Sequence, residues 1–338
     1  MNKNQLKIHA KNSIDVLRSR FWYEGIKLKM GFTSAYQLEQ FFERQAQKNI
    51  NELSGSTQSI LFRNKWSKYA LGINVPKNQK LLRQVENHVP GSIRELNHPL
   101  WKILKLEDKC VDHLDQWFQE LEPQVQAIVY RRFSSDKSSL PHLIRQTHPL
   151  VVSQRLIQQC SLDALAALLL YWQESIHLNK IREAEYLVHL IYRVLLMLGM
   201  EFCNRQVAES VFELFRQKVF ERMDWQDRRF AVDVNLYLEG IKVLELILYR
   251  KTFSSWHERC RAMARLLDGK QGFDIQFGLK ILLLPNWRMG PPTKQQWDQW
   301  HYEYKDWSQI WITLRKATKG RVPNDAVWHS LTEWIQPD

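Results

Sequence analysis

The chain has 338 residues, 44% of them hydrophobic and 25% charged, and a net charge of +12. That length is enough for two domains, and the balance excludes collagenous, low-complexity or charge-dominated disordered chains. The most apolar run, Leu187 to Met200, is about 14 residues long and contains His189 and Arg193, too short and too polar to cross a bilayer, so no membrane partner is expected.

Helix formers dominate and strand-like alternation is scarce, so the expected fold class is all-α. Residues 1–12 are polar. Ile14, Leu17, Phe21 and Ile26 then share one side of a first helix, ended by Gly31. Ser34 is placed to cap a second helix over 35–47, whose apolar face is Tyr36, Leu38, Phe41 and Phe42. A polar stretch, NINELSGSTQS, follows. Leu61, Trp66 and Tyr69 give a third helix its apolar face, and Arg63, Asn64, Lys65 and Lys68 its polar one. Gly72 suits the left-handed position that ends a helix, and Pro76 the start of the next. Leu81, Leu82, Val85 and Val89 recur there at helical spacing. Pro99, Leu100, Trp101, Ile103 and Leu104 make an anchoring piece, and the first domain is expected to span 1–105.

Residues 106–142 are expected to be connecting helices, broken at Pro123, and a linker, SSDKSSLPH. A helical bundle is expected over 143–284. Ser161 caps LDALAALLLYWQESI with Asp163 in its first turn, and a short turn leads to IREAEYLVHLIYRVLLMLGMEF, so the two helices should be antiparallel neighbours. Further helices are expected at about 206–222, 230–250, 256–268 and 273–284. Residues 285–338 are rich in tryptophan. Trp297, Trp300, Tyr304, Trp307, Trp311 and Leu314 are spaced 3, 4, 3, 4, 3, a heptad seam. That face is expected to dock on the bundle or to form a homodimer through Trp297, Trp300, Trp307 and Trp311.

The charge is uneven. Residues 1–105 hold 18 Lys+Arg and 7 Asp+Glu, a net of +11, whereas residues 106–338 hold 30 and 29, a net of +1. A polyanionic partner is the simplest physical reason, because basic groups displace condensed counterions from phosphates. Tyr69, Gly72, Pro76 and Leu81 fall at the spacings of W-E-x-G-x-x-x-P-x-x-x-x-L, with Tyr in place of Trp. Residues 17–105 thereby resemble a lambda-repressor-like (Cro/repressor, XRE-type) helix-turn-helix domain with an insertion around 45–60. The resemblance implies a degenerate helix-turn-helix domain with double-stranded DNA as partner; the irregular multi-helix bundle after it is read from the run of helical patterns that follows. It makes Arg63, Asn64, Lys65 and Lys68 the base-reading side chains, since Arg and Lys pair with guanine and Asn with adenine. Lys77 and Lys80 would hold phosphates at the next helix.

Catalytic patterns are sparse. There is no Gly-rich phosphate loop, HExxH or GxSxG. Cys110, Cys160, Cys203 and Cys260 lie 50, 43 and 57 residues apart, which matches no short zinc motif and suits reduced core thiols. No metal or cofactor is expected. Glu174 and His177 have the spacing of one half of a di-iron site, but a second such pair is absent, so they are read as a solvated helix end. The R-x(4–6)-H pattern of the all-helical HEPN ribonucleases occurs as Arg182…His189, Arg250…His257 and Arg83…His88, no more often than composition supplies by chance. Arg182 and His189, on the central helix pair, are the catalytic candidates for that alternative. The N-terminus has no apolar leader core, so a cytoplasmic, bacterial protein is expected. The leading expectation is a non-enzymatic DNA-binding protein, a regulator or a mobile-element or phage-defence component, whose helical C-terminal part dimerises or senses a partner. The alternatives are a HEPN-like nuclease and a protein-interaction adaptor.

Overall fold

In the computed structural model the described residues are 13–54, 64–106, 114–133, 142–223, 225, 228–230, 232–249, 251–267, 283–285, 293–295 and 298. They form an all-α protein with two short antiparallel strand pairs. They gather into two compact units, one of Met1–Leu106 with Glu201–Leu214, the other of Glu107–Met200 with Phe215–Asp338.

The first unit opens with α1 (Ser13–Lys29), which buries Ile14, Leu17, Phe21 and Ile26. Gly31, at φ 68°, ends it: the Phe32 amide bonds to the Lys27 carbonyl at 2.9 Å and the Gly31 amide to Leu28 at 3.2 Å, the paired bonds of a left-handed helix stop. A capping box starts α2 (Ala35–Ser54). Ser34 Oγ accepts the Gln37 amide at 3.3 Å, while Gln37 Oε1 accepts the Thr33 and Ser34 amides at 2.8 and 3.3 Å. Four shorter helices follow: α3 (Lys65–Ala70), α4 (Gln79–His88), α5 (Ser92–Leu96) and α6 (Pro99–Ile103). Trp66 centres their core. Its ring lies nearly parallel to Trp22 (5.6 Å, 5°) and to Phe42 (5.1 Å, 17°), with Tyr69 edge-on at 5.9 Å.

Gly72 ends α3 in the same way as Gly31 ends α1, at φ 66°, with the Ile73 amide on the Lys68 carbonyl at 2.8 Å and the Gly72 amide on Tyr69 at 2.9 Å. A Cβ here would sit 2.5 Å from Val16 Cγ1 and 2.9 Å from the Val16 carbonyl oxygen, whereas at Gly31 it would meet nothing within 4 Å. Gly72→Ala therefore adds a clash with the backbone of α1 to the left-handed strain. It is expected to destabilise by about 2 kcal/mol or more, and Gly31→Ala by clearly less. Urea unfolding of the two variants side by side checks the difference. Pro76 does not begin the next helix. Asn78 is the N-cap of α4, its side chain accepting the Leu81 amide at 3.1 Å, and Pro76 lies buried before it.

The sequence pattern assigns residues 143–284 to one bundle, yet Glu201–Leu214 clusters with the first unit. Arg20 reaches Ser210 and the Gln206 carbonyl, both at 3.4 Å, and the most buried tie is Arg205. Its side chain is 5% exposed, its guanidinium lies 4.1 Å from the Phe21 ring centroid, and it donates to both Glu95 carboxylate oxygens at 2.9 and 3.0 Å and to the Phe21 carbonyl at 3.2 Å. Gly25 makes room for it: a Cβ there would be 2.1 Å from Arg205 Nη1. Phe202 adds an edge contact to Phe21 at 6.3 Å.

The second unit starts with α7 (Leu114–Gln119) and α8 (Pro123–Val129). β1 (Tyr130–Phe133) and β2 (His142–Arg145) then pair antiparallel, Tyr130 opposite Arg145 and Phe133 opposite His142. The stretch expected to be an interdomain linker is thus flanked by the two strands of one hairpin inside a unit; residues 134–141 lie outside the described ones. α9 (Pro149–Gln159) leads to α10 (Leu162–His177), capped by Ser161, whose Oγ accepts the Ala164 amide at 3.1 Å. Asp163 is buried and accepts the Glu122 amide at 2.9 Å. Asn179, at φ 58°, supplies the left-handed stop, and α11 (Ile181–Met197) packs back against α10 as an αα-hairpin. Both helices bury side chains nearly all round, which places them at the centre of this unit.

The chain continues through α12 (Gly199–Asn204), α13 (Ala208–Phe215) and a π-helical turn, Arg216–Phe220. β3 (Arg228–Phe230), α14 (Val234–Leu248) and α15 (Trp256–Leu267) follow. Of the helix expected over 273–284, residues 273–282 lie outside the described ones, and Leu283–Pro285 form a strand, β4, which pairs with β3 through Phe230 opposite Leu283. The aromatic face over 297–314, with Trp297, Trp300, Trp307 and Trp311, lies outside the described residues.

Candidate nucleic-acid interface

The polar face predicted for α3 is only partly assembled. Arg63 lies outside the described residues. Asn64 precedes the helix in a left-handed conformation, φ 51° and ψ 30°, and is exposed. Lys65 turns toward α2: its amide donates to the buried Glu39 carboxylate at 3.1 Å and its ammonium pairs with Glu43 at 2.6 Å. Lys68 alone of the three described is both helical and exposed without a partner. In this six-residue helix Trp66 and Tyr69 are committed to the core and the Lys65 ammonium to Glu43, and Asn64 lies before the first turn.

α4 does carry a continuous polar face. Lys80, Arg83 and Asn87 recur at helical spacing and are exposed, opposite the buried Leu82, Val85 and Val89. Lys77 is exposed just before the N-cap. In the sequence Arg83 stands out only as half of an R-x(4–6)-H match. The signal that marks it is its place three residues after Lys80, away from Leu82 and Val85. His88, the other half of that match, lies against Phe41 (5.1 Å) and Phe42 (5.8 Å) while Arg83 faces solvent.

The carboxylates whose side chains are described in residues 13–106 are each held by a partner. Asp15 pairs with Arg18 and Lys105 at 2.7 Å each, Glu24 with Lys27 at 2.5 Å, and Glu43 with Lys65. Glu95 holds Arg205 and Lys29. Glu86 accepts the Gly91 and Ile93 amides at 2.6 and 2.7 Å and the Ser92 hydroxyl at 2.8 Å. Partial burial pushes the Glu86 carboxyl up, but those three donors outweigh it and hold the group below the ordinary carboxylate value. Lys68, Lys77, Lys80 and Arg83 take no hydrogen-bond or ion-pair partner among the described residues. With the carboxylates engaged inside the fold, these four set the sign of the local field.

In the second unit the candidate catalytic pair is not assembled into a site. Arg182 is exposed in the first turn of α11, and His189 lies about 10 Å further along the same helix, half-buried against Trp225 at 6.5 Å between ring centroids. Glu174 is held by Arg145, whose guanidinium donates to its two oxygens at 2.8 and 2.6 Å. That pairing, with His177 exposed, occupies the carboxylate that a metal would need. Among the described residues no three His, Cys, Asp or Glu side chains gather as metal ligands, and Cys160, Cys203 and Cys260 are free thiols. No described helix is long and apolar enough to cross a membrane. No protein-family model, curated protein or solved structure matches this chain.

Proposed function

We propose that this protein binds double-stranded DNA through the α3–α4 face of its first unit. One observation carries the reading: the described carboxylates of residues 13–106 are engaged internally, while Lys68, Lys77, Lys80 and Arg83 are exposed within one short segment and take no partner among the described residues. Lys77, just before the N-cap, and Lys80 and Arg83, three residues apart on α4, suit phosphates. Lys68 joins them as a phosphate contact, Asn64 keeps the base-reading role that the repressor-like resemblance implies, and Lys65 drops out because Glu43 already holds its ammonium. A regulator, or a component of mobile-element or phage-defence machinery, would use such a unit to place a helical second unit on DNA. The test is anisotropy of a labelled duplex titrated with the full chain at several salt concentrations. Binding that weakens steeply with salt is expected, and no binding at low salt would defeat the reading.

A second reading, a protein-interaction adaptor, is favoured by one feature of the second unit. Phe133, Leu143, Ile144, Leu150 and Val151 are each more than half exposed, on the hairpin and the start of α9. Exposed apolar groups in such a cluster mark contact surfaces, and in the DNA-binding reading they would serve the sensed partner.

A further inference from the structure

The turn between α3 and α4 has a property that phosphate binding does not use. Leu71 is 67% exposed and Ile73 41% exposed, on either side of the buried Gly72. Two large aliphatic side chains are thus exposed in the segment that carries Lys68, Lys77, Lys80 and Arg83, the cations with no partner among the described residues, and a surface built only to hold phosphates gains nothing from them.

The projection is rigid. The Ile73 and Asn74 amides both bond to the Lys68 carbonyl, at 2.8 and 3.3 Å, and the Leu71 and Gly72 amides bond to Ser67 and Tyr69 at 3.1 and 2.9 Å. Gly72 is backed by the main chain of Val16, which approaches so closely that no Cβ fits. Pro76 is buried just beyond, and Asn78 fixes the entry to α4. Lys68 stands one helical turn before Leu71 and its carbonyl holds the Ile73 amide, so the apolar tip and the last turn of α3 form one stiff unit. Lys77 and Lys80 follow on the other side of the tip. The arrangement is a stiff aliphatic pair bracketed by cations along the chain.

We infer that Leu71 and Ile73 form a wedge that enters a base step from the minor groove and kinks the duplex, with Lys68 on one side and Lys77 and Lys80 on the other holding the flanking phosphates. Apolar wedges of this kind partly unstack a step and bend DNA, and the cations repay the deformation through the extra backbone brought against the protein. The step chosen is the one easiest to unstack, a pyrimidine–purine step such as TA. The inference rests on the DNA-binding reading and specifies what kind of DNA binder this is.

The test uses the full chain and a duplex carrying a donor and an acceptor dye at its ends, with a central TA step. Anisotropy reads binding and energy transfer reads bending in the same sample. Wild type is expected to raise the transfer efficiency as it binds, by a kink of roughly 20–90°, and to do so less on a duplex whose centre is an A-tract. Leu71→Ala with Ile73→Ala, both at exposed positions that leave the backbone bonds intact, is expected to bind within a few-fold of wild type while losing most of the bend. 2-Aminopurine at the step should brighten with wild type and stay dark with the variant. Wild-type binding without bending, or a variant that bends as much as wild type, overturns the wedge and leaves the DNA-binding reading standing. Failure of wild type to bind at low salt defeats that reading and the wedge with it, and moves the apolar tip to a protein partner.

Discussion

Arg205→Ala is expected to destabilise the first unit by about 3–5 kcal/mol, the range for removing one partner of a buried ion pair. The guanidinium is nearly enclosed, and its loss strips Glu95 of two charge-assisted hydrogen bonds and Phe21 of the cation stacked on its ring. Two facts set the position within that range. Lys29 still reaches Glu95 at 2.7 Å, which softens the loss, whereas the Glu201 pair is 38% exposed on the carboxylate side and contributes little. Gly25→Ala should act on the same contact from the other side, since its Cβ would meet Nη1 at 2.1 Å and Glu95 Oε2 at 3.0 Å. The two changes are therefore expected to be less than additive. Hydrogen exchange read on α1 and α5 peptides reports this unit separately from the other. Unchanged exchange in Arg205→Ala would show that the pair contributes nothing to the unit.

The same pair has a pH signature. Burial pushes the Glu95 carboxyl up, but the Arg205 and Lys29 hydrogen bonds and charges outweigh it, and the group sits below the ordinary carboxylate value. A folded value below the unfolded one means that the unfolded chain binds more protons in acid. The stabilisation is therefore complete above the ordinary carboxylate value and is lost as pH falls toward the folded one. Melting temperature against pH should drop more steeply in wild type than in Arg205→Ala across that acid window. Parallel curves would assign the acid sensitivity to other carboxylates.

These residues also mark where the sequence stops being readable. Ser34, Ser161, Gly31 and Gly72 act within a few residues of themselves, so their roles as caps and stops follow from local rules. Pro76 and Asn78 offer two competing local signals two residues apart, and the Asn hydrogen bond to Leu81 decides the helix start. Gln206, left-handed at φ 55°, ends α12 with no Gly or Asn to announce it. β1 and β2 carry Arg131, Arg132 and His142 among their few residues, so no clean alternation betrays a hairpin. The interactions that reshape the candidate site come from further away. Glu39 and Glu43 reach Lys65 across 26 and 22 residues, and Glu95 reaches Arg205 across 110. A count of charges along residues 1–105 finds the excess but not which cations are already taken, and so ranks Lys65 with Lys68 and passes over Arg83.

That distinction yields the second large effect. Replacing Lys68, Lys77, Lys80 and Arg83 together by Ala is expected to weaken duplex binding by roughly 10²–10³-fold at moderate salt. The slope of log affinity against log salt should flatten by about 0.9 for each phosphate left without its cation, roughly 3–4 units in all. All four are exposed and take no partner among the described residues, so the fold should survive, and circular dichroism checks that it does. Lys65→Ala is the internal control, because it removes one formal charge from α3, the helix that carries Lys68. Its ammonium is already neutralised by Glu43 at 2.6 Å and releases no counterion on binding, so affinity and slope should stay close to wild type. Glu43→Gln tests the converse: it frees the Lys65 ammonium and should steepen the slope by up to about one unit. If duplex binding depends on which cations are unpaired, the three proteins separate in that order. If Lys65→Ala flattens the slope as much as an average member of the quadruple set, general basicity governs binding, and the α3–α4 face has no special claim to the DNA.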